Sequence, residues 1–209
     1  MTKDLAVRMI AWFISVGVMV GCQSNSTTET QVTAQSSDPP RSTKLEDLGI
    51  GGDFALTDHN GNRFQLAEHR GGAVLIFFGY TFCPDACPQM LSKLSDVYAG
   101  LKLTPGQTLI TLYITVDPDR DTPEVMKTYL KYFASVNAIG LTGTISEIDK
   151  VVAQYGATYK KEVSTSAAGY LVSHSTRLFL LDQNGKTQYL FRHSDTPEFI
   201  TSVVKQVWE

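Results

Sequence analysis

The chain has 209 residues, a formal net charge of −3 and only three cysteines, with 43% of its residues hydrophobic. That length allows one or two domains, and the apolar share can build a core of ordinary size without disulfides. The absence of a basic excess or cluster argues against a nucleic-acid partner.

Residues 1–22 have the form of a targeting segment. Lys3 and Arg8 precede an apolar run from Met9 to Val20, too short for a comfortable bilayer span, which ends at Gly21-Cys22. Met19-Val20-Gly21-Cys22 resembles a bacterial lipobox, in which the cysteine becomes the lipid-modified first residue of the mature protein; the other reading is an uncleaved anchor with Cys22 incidental. Either one exports the remainder to the bacterial cell envelope and tethers it to a membrane, facing the periplasm or the exterior. Residues 23–45 are rich in Ser, Thr and Gln with little that is apolar, the composition of a disordered tether. About twenty such residues span some 25 Å on average. That reach suits a partner in the same membrane and leaves residues 46–209 as the folded domain.

Residues 54–58 and 63–66, joined by a polar turn with Gly61, read as a hairpin. Residues 73–78 (Ala-Val-Leu-Ile-Phe-Phe) are a continuous apolar run, expected of a strand covered on both faces. After the loop at 79–87, Leu91, Leu94, Val97, Tyr98 and Leu101 recur at helical spacing. Residues 108–116 are β-branched and apolar, a neighbouring strand reached by a parallel crossover. Thr122 and Pro123 open a helix to about Ala134, and Thr144 with Glu147 forms a capping box for another that stops near Gly156. Lys160-Lys161 mark a solvated loop. Residues 177–181 and 187–191 make a second hairpin around Asp182–Gly185, and Thr196-Pro197 opens a last helix, to Trp208, with Phe199, Val203, Val204 and Val207 inward. The order hairpin, strand, helix, strand, helix, helix, hairpin, helix is an α/β, thioredoxin-like layout with an added N-terminal β-hairpin and a helical insertion.

The loop reads Gly79-Tyr-Thr-Phe-Cys83-Pro-Asp-Ala-Cys87-Pro88. Pro88 fits the first helical position, which places Cys83 in a tight loop and Cys87 at the helix start. Free N–H groups and the positive end of the dipole there favour thiolate for both sulfurs. Cys-x-x-x-Cys by itself leaves a structural disulfide, a redox pair and a metal site all open. Asp117 ends the neighbouring strand at the same sheet edge, where α/β sheets bind ligands; Asp119 and Asp121, in the same loop, read as ordinary capping and solvation. Of the four histidines, His59, His69 and His193 lie in or beside polar stretches and strand exits, whereas His174 precedes the strand expected beside the cysteine strand.

Taken together, Gly-Tyr-Thr-Phe-Cys-Pro-Asp-Ala-Cys-Pro, Val-Asp-Pro-Asp-Arg-Asp-Thr-Pro, Gly-Leu-Thr-Gly at 140–143 and Val-Ser-His-Ser-Thr resemble the Sco/SenC family of cytochrome oxidase copper-assembly proteins over residues 49–208. The resemblance implies one copper ion, as Cu(I) or Cu(II), held by Cys83, Cys87 and His174, with Asp117 in a supporting role. It also implies delivery to the dinuclear copper site of a respiratory cytochrome oxidase, with reduction of that site's thiols as a second role and a copper donor or thiol reductant as a further partner. Two thiolates and an imidazole are a soft donor set that suits Cu(I), whereas a structural zinc wants a fourth ligand. Competing readings use the same cysteines. A membrane-tethered thiol–disulfide oxidoreductase would resemble thioredoxin in a two-residue spacer and a cis-proline, where this chain has three residues and Ser173-His174. A peroxiredoxin-like peroxidase lacks the upstream proline and threonine spacing, and a copper or redox sensor shares every residue with the leading reading.

Overall fold

The computed structural model describes residues 47–163 and 169–209. The chain divides into two units, Met1–Pro40 and Arg41–Glu209, and every described residue belongs to the second. The targeting segment with Cys22 and the 23–45 tether lie outside the described residues.

Strands β1 (Ala55–Asp58), β2 (Arg63–Gln65), β3 (Ala73–Gly79), β4 (Leu109–Thr115), β5 (Ala138–Thr142), β8 (Leu178–Leu181) and β9 (Thr187–Phe191) form one sheet in the order β2-β1-β5-β4-β3-β8-β9. Helices α1 (Ala86–Gly100), α2 (Pro123–Leu130), α3 (Ile145–Gln154) and α4 (Pro197–Lys205) alternate with it along the chain, and β6 (Tyr159–Val163) and β7 (Tyr170–His174) make a separate two-stranded sheet. The architecture is α/β and thioredoxin-like. The added N-terminal hairpin sits at the far edge, with β1 antiparallel to β5.

All seven residues of β3 are buried, as a continuous apolar run requires when both faces are covered. It pairs in parallel with β4, Gly79 opposite Thr115, and antiparallel with β8 on its other side, so the cysteine strand is central and its C-terminal end lies level with that of β4. Helix α1 turns Cys87, Met90, Leu91, Leu94 and Val97 inward, and α4 buries Ile200, Thr201, Val203 and Val204 while Phe199 and Val207 are half-buried against the core. Thr122, Thr144 and Thr196 each accept the N–H three residues on, and Glu147 completes the capping box.

Four local expectations are corrected. Helix α1 begins at Ala86, so Cys87 lies within its first turn and Pro88 is its third residue, a position whose N–H has no intrahelical partner. Helix α2 ends at Leu130 and continues as a 3₁₀ turn to Val136, kinked at Phe133 and closed by Asn137 at φ 45°, which Asn tolerates better than most residues. What reads as two successive helices is interrupted by β5, five residues with a central Gly140 that give little periodic signal. Finally, Lys160-Lys161 belong to strand β6, whose residues 160–163 are exposed. Its polar surface hides a ladder that only β7 supplies.

Candidate metal centre

The site is built where β3 ends. Phe77 and Gly79 face the same side of the sheet, and the missing side chain at Gly79 leaves the space that Cys87 Sγ and Tyr113 Oη occupy. From there the chain turns at Tyr80, whose carbonyl accepts the Cys83 N–H at 3.2 Å, and enters α1. Cys83 Sγ then stands where a capping acceptor would, taking the Cys87 N–H at 3.5 Å. Both cysteines are free thiols, Cys83 half-buried and Cys87 fully buried.

His174, the last residue of β7, completes the group. Its Nε2 lies 4.0 Å from Cys83 Sγ and 3.6 Å from Cys87 Sγ, and the three ligand atoms all fall within 4.8 Å of one another. Nδ1 stands 3.0 Å from the Ser175 carbonyl oxygen, which can only accept. The tautomer assigned from this bond carries its proton on Nδ1 and turns the Nε2 lone pair toward the sulfurs. The rings of Tyr80 and Phe77 meet the imidazole edge-on at 5.6 and 6.2 Å and wall one side of it. Among the described residues, no fourth histidine, cysteine or carboxylate joins this cluster.

The two thiols are not equivalent, which corrects the expectation that the helix start favours thiolate at both. A hydrogen bond from the Cys87 thiol, with His174 and the Asp85 and Cys87 N–H groups adding to it, holds Cys83 well below the usual thiol range. Burial pushes Cys87 well above it, and a neighbouring Cys83 thiolate pushes the same way. Cys83 is therefore the more acidic and more accessible sulfur, and Cys87, buried behind it, holds its proton more tightly.

Asp117 is fully buried but stands outside the cluster. Its carboxylate accepts from Arg120 Nε at 2.5 Å and from the Tyr170 hydroxyl at 2.7 Å, with Lys161 Nζ at 3.7 Å. It thus bears on β6 and β7, from which His174 is hung. Asp119 is exposed and pairs with Lys161, as expected of a solvated acid. Asp121 departs from that reading: it is fully buried, accepting from Thr81 N at 3.0 Å, Thr81 Oγ1 at 2.6 Å and Thr115 Oγ1 at 2.7 Å. It pins the cysteine loop to the end of β4. Of the other histidines, His59 Nδ1 accepts the Gly140 N–H, His69 stacks on Phe64, and His193 lies 3.3 Å from the Ala86 carbonyl oxygen. Sequence reasoning missed Asp121, Tyr113, Arg120 and Tyr170. The one available signal was the density of charge in Asp-Pro-Asp-Arg-Asp, too much to be all solvated beside a buried strand.

Beside Thr81 and Phe82 a groove of about 420 Å³ opens, lined also by Val125, Tyr129 and Tyr132. Phe82 and Tyr132 are exposed large apolar side chains. No helix among the described residues is long and apolar enough to cross a membrane.

Comparison with known proteins gives a family match over residues 42–209, described as SCO1/SenC. The chain is 37% identical over 161 residues to a SCO2-like protein of Rickettsia felis, covering 77% of this chain and 78% of that one. It is 40% identical over 138 residues to the mitochondrial SCO1 homolog of Mus musculus, covering 66% of this chain and 48% of that one, so it spans about half of that relative's length. Among solved structures, Bradyrhizobium japonicum ScoI with copper bound superposes with a TM-score of 0.68 at 37% identity, covering 76% of this chain and 99% of that one. A SCO1/SenC family lipoprotein from Bacillus anthracis gives 0.64 at 27% identity, covering 78% of this chain and 97% of that one.

Proposed function

The chain belongs to the SCO1/SenC family, and from that membership and the geometry of its cysteine–histidine cluster we propose that it is a copper metallochaperone. Cys83, Cys87 and His174 hold one copper ion, as Cu(I) or Cu(II), and hand it to the dinuclear copper site of a respiratory cytochrome oxidase. The observation that supports this best is the convergence of two sulfurs and one lone-pair nitrogen within 4.8 Å, reached from residues 91 and 87 positions apart. The donor set is soft, which suits Cu(I), and three ligands leave one side open, which a receiving thiolate needs. A structural zinc would want a closed fourth position.

Each residue has a task in this reading. Cys83, held as thiolate, is the first to meet the metal. Cys87 gives up its proton on binding, since the thiolate is the ligand. The Ser175 carbonyl keeps His174 in the ligating tautomer, and Asp121 fixes the loop that carries Cys83. Asp117 acts at a distance, through Arg120 and Tyr170. The unequal thiols also favour a second reading on the same atoms. An accessible thiolate in front of a buried thiol is the arrangement of an attacking and a resolving cysteine, which reduces a partner's disulfide while Cys83 and Cys87 are oxidised to one.

The tether belongs to the proposal as well. Residues 1–22 act as an export signal ending at a lipid-modified Cys22, and residues 23–45 carry the domain away from a bacterial envelope membrane, on its periplasmic or outer side. Likeness to a Bacillus lipoprotein supports this. The deciding experiment is an anaerobic copper titration of the reduced full chain, followed by mixing with an apo-domain bearing a dinuclear copper site. One copper per chain with S₂N ligation, and its passage to the recipient, is expected. X-ray absorption showing zinc with four sulfurs would sink the reading, and copper that is bound but never transferred would favour a sensor.

A further inference from the structure

Arg120 stands outside the cysteine–histidine cluster yet touches both segments that assemble it. The carbon at the centre of its guanidinium lies 3.7 Å from the centre of the Tyr170 ring and 4.7 Å from that of Phe82. Phe82 immediately precedes Cys83, and Tyr170 opens the strand that ends on His174. Nη1 also donates to the Tyr170 carbonyl oxygen at 3.2 Å, while Nε donates to the buried Asp117, which accepts the Tyr170 hydroxyl as well. One planar cation, its side chain 17% exposed, is thus aimed by a carboxylate just past β4 and lies over one aromatic ring from each ligand-bearing segment.

This matters because β6 and β7 share no backbone ladder with the central sheet. Among the described residues, β7 is held to the cysteine side by side chains. These include the Arg120 stack, the Tyr170 hydroxyl on Asp117, the Val172 N–H donating to Tyr80 Oη at 3.2 Å, the Val172 side chain buried in the core, and the edge contacts of His174 with Tyr80 and Phe77. On the β6 side the Tyr159 hydroxyl donates to Asp149 at 2.6 Å, and Lys161 pairs with the exposed Asp119, a weak contribution at such exposure, and lies 3.7 Å from the buried Asp117. The two sulfurs, by contrast, sit on the covalently continuous β3–α1 segment. The sulfur pair is therefore built in, whereas the imidazole is placed by these side-chain contacts and the short 175–177 link to β8, and of the contacts the Arg120 stack is the one that touches both ligand-bearing segments.

We propose that Arg120 is a positioning residue, a clamp that sets the place of His174 against Cys83 and Cys87 through its planar face more than through its charge. This rests on reading the cluster as a copper site. Opening the stack frees the β6–β7 pair and withdraws the imidazole while leaving both sulfurs in place, which turns a three-ligand site into a two-thiolate one. A lysine would keep the pair with Asp117 but offers no planar face, and no second N–H fixed toward the Tyr170 carbonyl.

The test compares the full chain with R120K, R120M, Y170F and Y170L. In the reduced, metal-free protein, amide hydrogen exchange at Val172, Ser173 and His174 is expected to be about tenfold faster or more in R120K, R120M and Y170L, with α1 unchanged and Y170F close to the unmodified chain. After copper loading, the same three variants and H174A should lose the imidazole nitrogen coupling of the Cu(II) electron paramagnetic resonance spectrum, and Y170F should keep it. Unchanged exchange along β7 in R120M and Y170L overturns the clamp, whether or not copper binds. R120K matching the unmodified chain overturns the role of the planar face. Faster β7 exchange alongside an unmodified chain that takes up no copper upholds the clamp and refutes the copper reading alone. Should either Arg120 variant fail to fold, the contrast between Y170F and Y170L decides.

Discussion

Gly79→Ala is the smallest substitution that reaches the middle of the site. A Cβ added there would lie 2.7 Å from Tyr113 Oη, 2.9 Å from Tyr113 Cζ and 2.9 Å from Cys87 Sγ, closer than real Cβ atoms approach. Neither neighbour is the loose end of a flexible chain. Tyr113 is buried in β4, in register with Phe77, and Cys87 is locked in the first turn of α1. Either the ring or the helix start has to shift. Overpacking of this kind costs about 1–3 kcal/mol. For a domain of this size each kcal/mol is worth roughly 2–4 °C, so a loss of about 2–12 °C in Tm is expected. Displacement of Cys87 Sγ also spreads the three ligand atoms, so Cu(I) affinity measured against a competing chelator should fall with it. Thermal denaturation of the reduced, metal-free chain gives the first number and the chelator titration the second. Gly100→Ala is the milder comparison: its added Cβ would meet Thr201 Oγ1 at 3.3 Å, a tight contact that a shift of a few tenths of an ångström in that side chain relieves, and alanine at a helical position gains up to about 1 kcal/mol over glycine. If G79A melts with G100A and the unmodified chain, the packing argument for the site fails.

His174→Ala should weaken Cu(II) more than Cu(I), because imidazole matters more to the harder ion; equal losses in parallel competition titrations would contradict the ligand assignment. The double variant C83S/C87S should lose copper and keep native circular dichroism. Cys87 is a core residue, so a Tm lowered by several degrees is expected, whereas a chain that unfolds at room temperature would show that the cysteines staple the fold first. Oxidation should close Cys83 and Cys87 into a reversible disulfide that excludes copper, and full copper binding by the oxidised chain would refute this. Burial raises the Asp121 pKa above 3.8, so the folded state holds that proton more tightly than the unfolded chain does. Stability from this group is present below its unfolded pKa and is lost as pH rises through the folded value. The Tm of the unmodified chain relative to D121N should therefore fall as pH is raised from about 4 upward, and a difference that rises over that window would reverse the sign.

Much of this protein is written in short-range patterns. The apolar run at residues 73–78 reads as a strand covered on both faces, and β3 is buried along its whole length. Thr122, Thr144 and Thr196 announce three helix starts, because a cap is settled by residues three positions apart. The spacing of Cys83 and Cys87 marks a site but leaves a disulfide, a redox pair and a metal centre open; His174 joins them in sequence only through the family resemblance, and it is the fold that brings the three ligand atoms within 4.8 Å of one another. Other features had no local signature. β5 and the β6–β7 pair exist because a partner strand completes their ladders, and exposed Lys160-Lys161 looks like a loop until Ser173 and Val172 stand opposite. Asp121 resembles its solvated neighbour Asp119 in sequence, and only the approach of Thr81, forty positions away, makes it a buried anchor. Arg120 and Tyr170, fifty positions apart, are brought within 3.7 Å, guanidinium centre to ring centre, only through the path of the chain. The same holds for the inequality of the two thiols. Spacing places both sulfurs at a helix start, but their proton affinities follow from burial and from what each sulfur touches, and those are properties of the assembled core.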